Sequence, residues 1–100
     1  MVRYTVKLYP EAFRNIDDIY IYLALEKQAP NEARGQTDRI WAALESLEYN
    51  PESHQYRLVG RYAGNRYRQI LIDNYVAIYK IDALQRVVYV VTVQYQGRDM

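Results

Sequence analysis

Residues 66–82 read RYRQILIDNYVAIYKID, and residues 87–95 read VVYVVTVQY. Apolar, β-branched and aromatic residues dominate both segments, and turn-forming residues interrupt them at Asp73-Asn74 and over 82–86. This pattern predicts three consecutive β-strands. The last strand is dense in valine, so we expect it to be buried on both faces and to lie in the centre of the sheet.

The first half of the chain predicts one strand and two helices. Apolar residues alternate over 2–8, as is typical of a strand, and Pro10 suits the first turn of a helix that we expect to reach about Gln28. Asn31 is the expected cap of a second helix, which Asn50-Pro51 ends. The positions expected to be buried are Phe13, Ile16, Ile19, Tyr20 and Leu23 on the first helix and Ala33, Thr37, Ile40, Leu44 and Leu47 on the second.

The predicted element order is β-α-α-β-β-β, with a possible short edge segment at residues 56–59. A chain of 100 residues is too short for two independent cores, so we expect one domain over residues 1–100. The predicted fold class is α+β, in which a helical hairpin packs on one face of an antiparallel sheet.

Charge is unevenly distributed along the chain. The net charge is only +1, but the stretch between His54 and Ile72 contains arginines and no acid. Such a patch can meet a phosphate backbone or an acidic partner. An equally simple interpretation is that these arginines pair with the acidic helices. The arginines concerned are Arg57, Arg61, Arg66 and Arg68.

Several classes of function are disfavoured. The chain has no cysteine, which excludes disulfides and cysteine-based metal sites or nucleophiles. It shows no Gly-rich phosphate loop and no metalloprotease or hydrolase motif, so we expect neither cofactor nor metal. Nothing in it suits a signal peptide or a membrane span, and we expect a cytoplasmic protein without membrane partners.

Arginine and tyrosine remain as candidates for chemistry. Metal-free RNA cleavage needs a base, cations on the phosphorane and a donor to the leaving oxygen. Arg66 and Arg68 are two apart and would share one face of a strand, while Tyr95 and Arg98 could complete the set from the final strand. His54 is an alternative proton-transfer group, although a lone loop histidine is more often only solvated.

The chain is also rich in tyrosine, with 12 in all, and some of them alternate with arginines. Surfaces of this composition occur at protein interfaces and also stack RNA bases, and we favour a protein interface slightly. The candidate residues for binding a target or a partner protein are Arg57, Arg61, Tyr62 and Tyr67.

The order and spacing of several segments resemble the RelE/ParE superfamily of small toxins. The resemblance implies a toxin of a type II toxin–antitoxin module, which arrests growth and is held inactive by a cognate antitoxin. The segments that carry it are Tyr9-x-x-Ala12, Ile19-Tyr20-Ile21-Tyr22, Ala42-Ala43-Leu44-x-x-Leu47-x-x-x-Pro51, Asn74-Tyr75-x-x-x-Tyr79-Lys80-Ile81-Asp82 and Val88-Tyr89-Val90-Val91-x-Val93.

The resemblance also separates two cellular targets. RelE-like members cut mRNA on the ribosome with basic residues on the sheet, whereas ParE-like members poison DNA gyrase. Val76 stands where RelE-type nucleases usually carry arginine, and Gln69 occupies a position that is often basic in them. Tyr95 replaces a histidine that is frequent at the end of the last strand. By contrast, Arg68 and Arg98 match arginines that are common in the superfamily. The long helical hairpin is ParE-like. We therefore favour gyrase poisoning, with mRNA cleavage as the alternative and an inactive binding module as the third hypothesis.

Overall fold

The computed structural model describes residues 2–97 and confirms the α+β class and the predicted order of strands and helices. The first helix continues into one π-helical turn, and a short 3-10 turn follows the second helix. The elements are β1 (Thr5–Leu8), α1 (Pro10–Ile21) with its π-helical turn (Tyr22–Glu26), α2 (Pro30–Ser46), the 3-10 turn (Pro51–Ser53), β2 (Arg68–Ile72), β3 (Tyr75–Asp82) and β4 (Val87–Tyr95).

The four strands form one sheet in the order β1-β4-β3-β2, so the valine-rich β4 is central as predicted. β1 runs parallel to β4, and the sheet is therefore mixed where we expected an antiparallel one. The path of the helices explains the difference. α2 returns the chain to the start of β1, where the Tyr4 N–H donates to the Glu48 carbonyl oxygen at 2.8 Å. β2 then runs in the same direction as β1, and the two reversals from β2 to β3 and from β3 to β4 give β4 the direction of β1.

The helical hairpin, α1 with α2, packs on one face of this sheet. The predicted seam of α2 is confirmed, because Ala33, Thr37, Ile40, Leu44 and Leu47 are all buried. The prediction for α1 is partly wrong, since Phe13 is 50% exposed and Tyr20 is 37% exposed. Ala12 and Ile16 are the buried residues of α1, and the small Ala12 side chain allows the helix backbone to approach the sheet closely.

The helix ends differ from the prediction by a few residues. α2 begins at Pro30 after Ala29, so Asn31 lies inside the first turn and is not its cap. Pro at the first helical position already has the required φ and needs no partner for an N–H. The π-helical turn ends at Glu26, and Gln28 adopts a positive φ of 52° that stops the helix. Among residues 2–97, no helix is long and apolar enough to cross a membrane.

The face of the sheet opposite the helices, called the open face below, is only partly covered. Val76, Ile78 and Val91 form a second, smaller apolar cluster on it. The side chains of Tyr62 and Tyr67, from the long segment between α2 and β2, pack against this cluster. The segment makes one isolated bridge between Tyr56 and Arg68, which is what remains of the predicted edge strand.

Candidate functional site

Arg68 opens β2 and anchors the segment that precedes it. Its Nη1 donates to the carbonyl oxygens of Glu52 at 2.9 Å and His54 at 2.7 Å, and its Nη2 donates to the Tyr56 hydroxyl at 3.0 Å. The guanidinium also lies 4.1 Å from the centre of the Tyr56 ring, within range of a cation–π interaction. These contacts engage three N–H donors of Arg68 in holding the loop.

Arg66 does not join Arg68 on a strand face, so that prediction is wrong. β2 begins only at Arg68, and Arg66 has a positive φ of 63° in the turn before it. The left-handed conformation reverses the local chain direction. The alternation of side chains between faces therefore does not extend back from the strand to Arg66.

Tyr95 is distant from Arg68 in the sheet. In the strand register, Tyr95 pairs with Tyr75 and through it with Ile72, whereas Arg68 pairs with Tyr79. The two residues are thus separated by about 13 Å along the strands and about 10 Å across them. Tyr95 is 59% exposed, and its ring lies edge-on to that of Tyr75 at 6.0 Å. The remaining member of the predicted set, Arg98, lies outside the described residues.

His54, the alternative proton-transfer group, is close to Arg68 only through its backbone. Its carbonyl oxygen accepts from Arg68, while its ring lies edge-on to the ring of Tyr79 at 6.4 Å. The histidine side chain is half-buried. The observed contacts of His54 are therefore structural, since they fix the loop after α2 to Arg68 and to the ring of Tyr79.

Arg57 is an interior residue of the loop. It is only 5% exposed, its Nε donates to the Val59 carbonyl oxygen at 3.0 Å, and its Nη1 donates to Gln69 Oε1 at 2.9 Å. Its backbone N–H donates to the Tyr67 carbonyl oxygen at 2.7 Å. The structure thus places this arginine in a structural position, and its predicted contact with a target would require the loop to rearrange.

The other three predicted binding residues lie together on the open face. The rings of Tyr62 and Tyr67 meet edge-to-face with centres 4.9 Å apart. Arg61 is exposed, and its guanidinium lies 5.5 Å from the centre of the Tyr62 ring. The structure therefore brings Arg61, Tyr62 and Tyr67 into one aromatic–basic surface.

The positions at which a RelE-type nuclease would carry cations also face this side of the sheet. Val76 is fully buried in the apolar cluster beneath Tyr62 and Tyr67. Gln69 pairs with Ile78 of the same cluster, and its side chain accepts from Arg57. The apolar cluster under Tyr62 and Tyr67 thus occupies the place where a RelE-type nuclease would have to hold the phosphate of its RNA substrate.

One group on the open face was missed at the level of the sequence. Lys80 Nζ lies 5.6 Å from the ring centre of Tyr9 and 5.8 Å from that of Tyr89. The hydrogen bond with Tyr9 is the largest effect that raises the pKa of Lys80 above its ordinary value. The alternation of side chains along a strand is enough to predict that Lys80 and Tyr89 share this face. Their proximity to Tyr9 depends on how β1, β4 and β3 pair, which the sequence pattern does not give.

The helical hairpin exposes a second surface, which is apolar. Phe13 on α1 and Trp41 on α2 place their rings 5.8 Å apart, and Ile21, Tyr22 and Leu25 are exposed near the far end of the hairpin. A groove of about 490 Å³ begins beside Tyr22. The groove is lined by Asn15, Asp18, Ile19, Tyr22, Tyr75 and Tyr95, among others. Exposed aromatic residues of this kind are enriched at protein interfaces.

Comparison with known proteins identifies the relatives of this chain. The family model for the ParE toxin of the type II toxin–antitoxin system parDE matches residues 6–100. No curated protein sequence gives a significant match.

Solved structures share the fold at low sequence identity. A chain of the chromosomal ParDE toxin–antitoxin system from P. aeruginosa gives a TM-score of 0.73 and 14% identity, over 95% of this chain and 98% of that one. A chain of the RelBE2 complex of Mycobacterium tuberculosis gives a TM-score of 0.64 and 21% identity, over 95% and 93% of the two chains. A chain of the archaeal RelE–RelB complex of Pyrococcus horikoshii OT3 gives 0.64 and 17%, over 98% and 99%.

Proposed function

This chain belongs to the ParE family of toxins from type II toxin–antitoxin systems, and we propose that it arrests growth by poisoning DNA gyrase. The proposal concerns the target, because both ParE and RelE proteins share the fold. The alternative is the RelE-like activity, the metal-free cleavage of mRNA on the ribosome.

The separation of Arg68 from Tyr95 is the observation that carries the proposal. General acid–base catalysis needs the proton-transfer group within hydrogen-bond reach of the reacting atom. Cations must in turn lie against the charge that develops on the phosphorane. Arg68 and Tyr95 lie two strands apart and four residues apart along the strands, and the donors of Arg68 are directed at Glu52, His54 and Tyr56. This arrangement disfavours a nuclease centre built from these residues.

The apolar cluster on the open face supports the same conclusion. Buried Val76 cannot bind a phosphate, and the Tyr62 and Tyr67 rings cover the cluster to which it belongs. A RelE-like reaction on this face would therefore lack a central cation. A toxin that acts by binding a protein target needs no such cation.

We propose further that a cognate antitoxin is the regulatory partner of this chain. The similar folds from P. aeruginosa, M. tuberculosis and P. horikoshii are all chains of toxin–antitoxin systems. The exposed aromatic surface of the helical hairpin, centred on Phe13 and Trp41, has the composition of a protein-binding site. An amphipathic or extended antitoxin segment could cover such a surface.

The target is tested by inducing the chain in cells without its antitoxin and following DNA and mRNA separately. We expect growth arrest, gyrase-dependent linearisation of a plasmid and unchanged mRNA 5′ ends. Purified gyrase with the purified chain should likewise accumulate cleaved plasmid. New mRNA ends in phase with codons would overturn the proposal in favour of ribosome-dependent cleavage. Normal growth at full expression would instead indicate an inactive binding module.

A further inference from the structure

The groove beside Tyr22 lies where α1 packs against the start of β3 and the end of β4. The sheet contributes Tyr75 and Tyr95, which are register partners on these two strands. The helix contributes residues that are three or four positions apart and therefore share one helix face. These helix residues are Asn15, Asp18, Ile19 and Tyr22.

Asn15 fixes the distance between the two walls of the groove. Its Oδ1 accepts a hydrogen bond from the Val93 N–H at 3.0 Å and another from Thr92 Oγ1 at 2.9 Å. These bonds join α1 to the central strand of the sheet. The walls therefore keep their positions without a ligand, which lowers the cost of binding one.

Three tyrosines line the groove. The rings of Tyr75 and Tyr95 stand nearly perpendicular, at 83°, with their centres 6.0 Å apart. Burial raises the pKa of Tyr75 above its ordinary value, and the nearby Tyr22 and Tyr95 hydroxyls raise it further. Tyr22 is thus close enough to add a third ring to the site, and the faces of such rings attract cations.

The charge of the groove is negative. Asp18 is exposed at its rim, and no cation among residues 2–97 forms an ion pair with its carboxylate. Lys27 Nζ lies 5.6 Å from the centre of the Tyr22 ring, but Lys27 does not line the groove. Within the described part of the chain, the groove therefore combines three aromatic rings and one carboxylate with no basic side chain in its lining.

We propose that this groove binds an arginine side chain presented by a partner protein. A guanidinium is planar, stacks on aromatic rings and forms paired hydrogen bonds with a carboxylate. The tyrosines and Asp18 supply both kinds of contact. Tyr22 and Tyr95 are exposed, as is the apolar Ile21 beside Tyr22, so a surrounding protein interface is needed to exclude water from the site. The inference depends neither on gyrase poisoning nor on mRNA cleavage, because it concerns one pocket and its ligand.

The test is an NMR titration of the isotope-labelled full chain with Nα-acetyl-arginine methylamide, which carries the arginine side chain between two peptide groups. We expect saturable shifts of the signals of Asp18, Tyr22, Tyr75 and Tyr95. The citrulline analogue has nearly the same shape without the charge and should bind about tenfold more weakly, because it loses the cation–π and ion-pair contacts. The lysine analogue should also bind more weakly than the arginine compound, because its ammonium is strongly hydrated. Absence of saturable shifts, or equal affinity of the arginine compound and either analogue, would overturn the proposal.

Variants of the groove locate the binding. Asp18→Asn keeps the shape of the rim and removes its charge, so the arginine compound should bind about fivefold more weakly. Tyr95→Leu removes one ring and should weaken binding about threefold. Asp17→Asn is the matched control, because Asp17 is an exposed neighbour that does not line the groove, and it should bind as the parent chain does. Equal losses in Asp17→Asn and Asp18→Asn would overturn the proposal by showing a nonspecific attraction to the acidic helix.

The chain's own arginine near the groove requires a separate control. Arg98 follows Tyr95 by three positions and lies outside the described residues. The titration is therefore repeated with Arg98→Gln, which should bind the arginine compound as the parent does. Binding in Arg98→Gln alone would overturn the proposal, because it would assign the groove to the chain's own arginine.

Discussion

The Tyr79 hydroxyl donates a hydrogen bond of 2.7 Å to the Pro51 carbonyl oxygen. Tyr79 is fully buried in β3, and buried Pro51 begins the 3-10 turn that follows α2. The bond therefore joins the interior of the sheet to the start of the loop that carries the arginines. Arg68, which pairs with Tyr79 in the neighbouring strand, holds the next residues of the same loop.

Removing that hydroxyl should destabilise the fold. Tyr79→Phe leaves the Pro51 carbonyl oxygen buried without its donor, and an unsatisfied buried group of this kind costs about 1–3 kcal/mol. We expect the free energy of unfolding in urea to decrease by about 1–2 kcal/mol. Tyr95→Phe at an exposed position should change it by less than about 0.5 kcal/mol. Equal stability of the two variants would contradict this role for the Tyr79–Pro51 bond.

Burial of Tyr79 also predicts a loss of stability at alkaline pH. Burial raises the pKa of Tyr79 above its ordinary value, which is about 10 in an unfolded chain. The folded state thus retains the phenolic proton when the unfolded state loses it. The resulting stability is complete below pH 10 and declines as the pH rises towards the pKa of the folded state. Urea unfolding between pH 9 and 11 should show a shallower decline in Tyr79→Phe than in the parent chain.

Asp73 should make stability sensitive to acid. Its carboxylate accepts from Arg39 Nε at 2.7 Å and from Gln36 Nε2 at 3.0 Å. These two hydrogen bonds, that from Arg39 first, hold the pKa of Asp73 below its ordinary value. The contribution of Asp73 to the free energy of unfolding is therefore present above the pKa that Asp73 has in the unfolded chain. It is lost as the pH falls through the pKa of Asp73 in the folded state. Asp73→Asn should be slightly less stable at pH 7 and lose less stability between pH 5 and 2, as measured by thermal melts. If the parent chain and Asp73→Asn lost the same stability between pH 5 and 2, the hydrogen bonds from Arg39 and Gln36 would not favour the ionised form of Asp73.

Arg68 should act as the anchor of the loop. Arg68→Met keeps the alkyl stem but removes the donors to Glu52, His54 and Tyr56, and hydrogen bonds from charged groups contribute about 1.5–3 kcal/mol each when well shielded. Because the site is half-exposed, we expect a total loss of about 1–2 kcal/mol. Limited proteolysis between residues 52 and 66 should be faster. Arg66→Met, at an exposed turn position, provides the control, and similar proteolysis of both variants would argue against the anchor.

Tyr95 should be dispensable for toxicity. It is distant from Arg68 in the strand register, so removal of its hydroxyl should not affect a gyrase poison. We expect Tyr95→Phe to inhibit growth within about twofold of the parent chain at equal expression. A large loss of toxicity together with a loss of mRNA cleavage would restore Tyr95 as a catalytic residue and support the RelE-like alternative.

The periodic spacing of apolar residues predicted the helices and strands, because each of them buries one face whose residues recur at a regular interval in the sequence. The spacing of Ala33, Thr37, Ile40, Leu44 and Leu47 required a helix with one buried stripe, and all five residues are buried. The valines of β4 required a strand covered on both faces. Phe13 and Tyr20 misled the prediction, because a helix that crosses close to a sheet favours a small residue, Ala12, at the contact.

The sequence by itself determined the α+β class, the order of the elements, the central strand and the similarity to small toxins. These properties depend on residues close together in the chain. Tertiary structure decided what the arginines and tyrosines do, because their environments depend on strand register and on the path of the 47–67 loop. Register separates Arg68 from Tyr95 and brings Lys80 to Tyr9 and Tyr89. β2 begins at Arg68, two residues after Arg66, and this start decides that Arg66 does not share a strand face with Arg68; no local pattern encodes it.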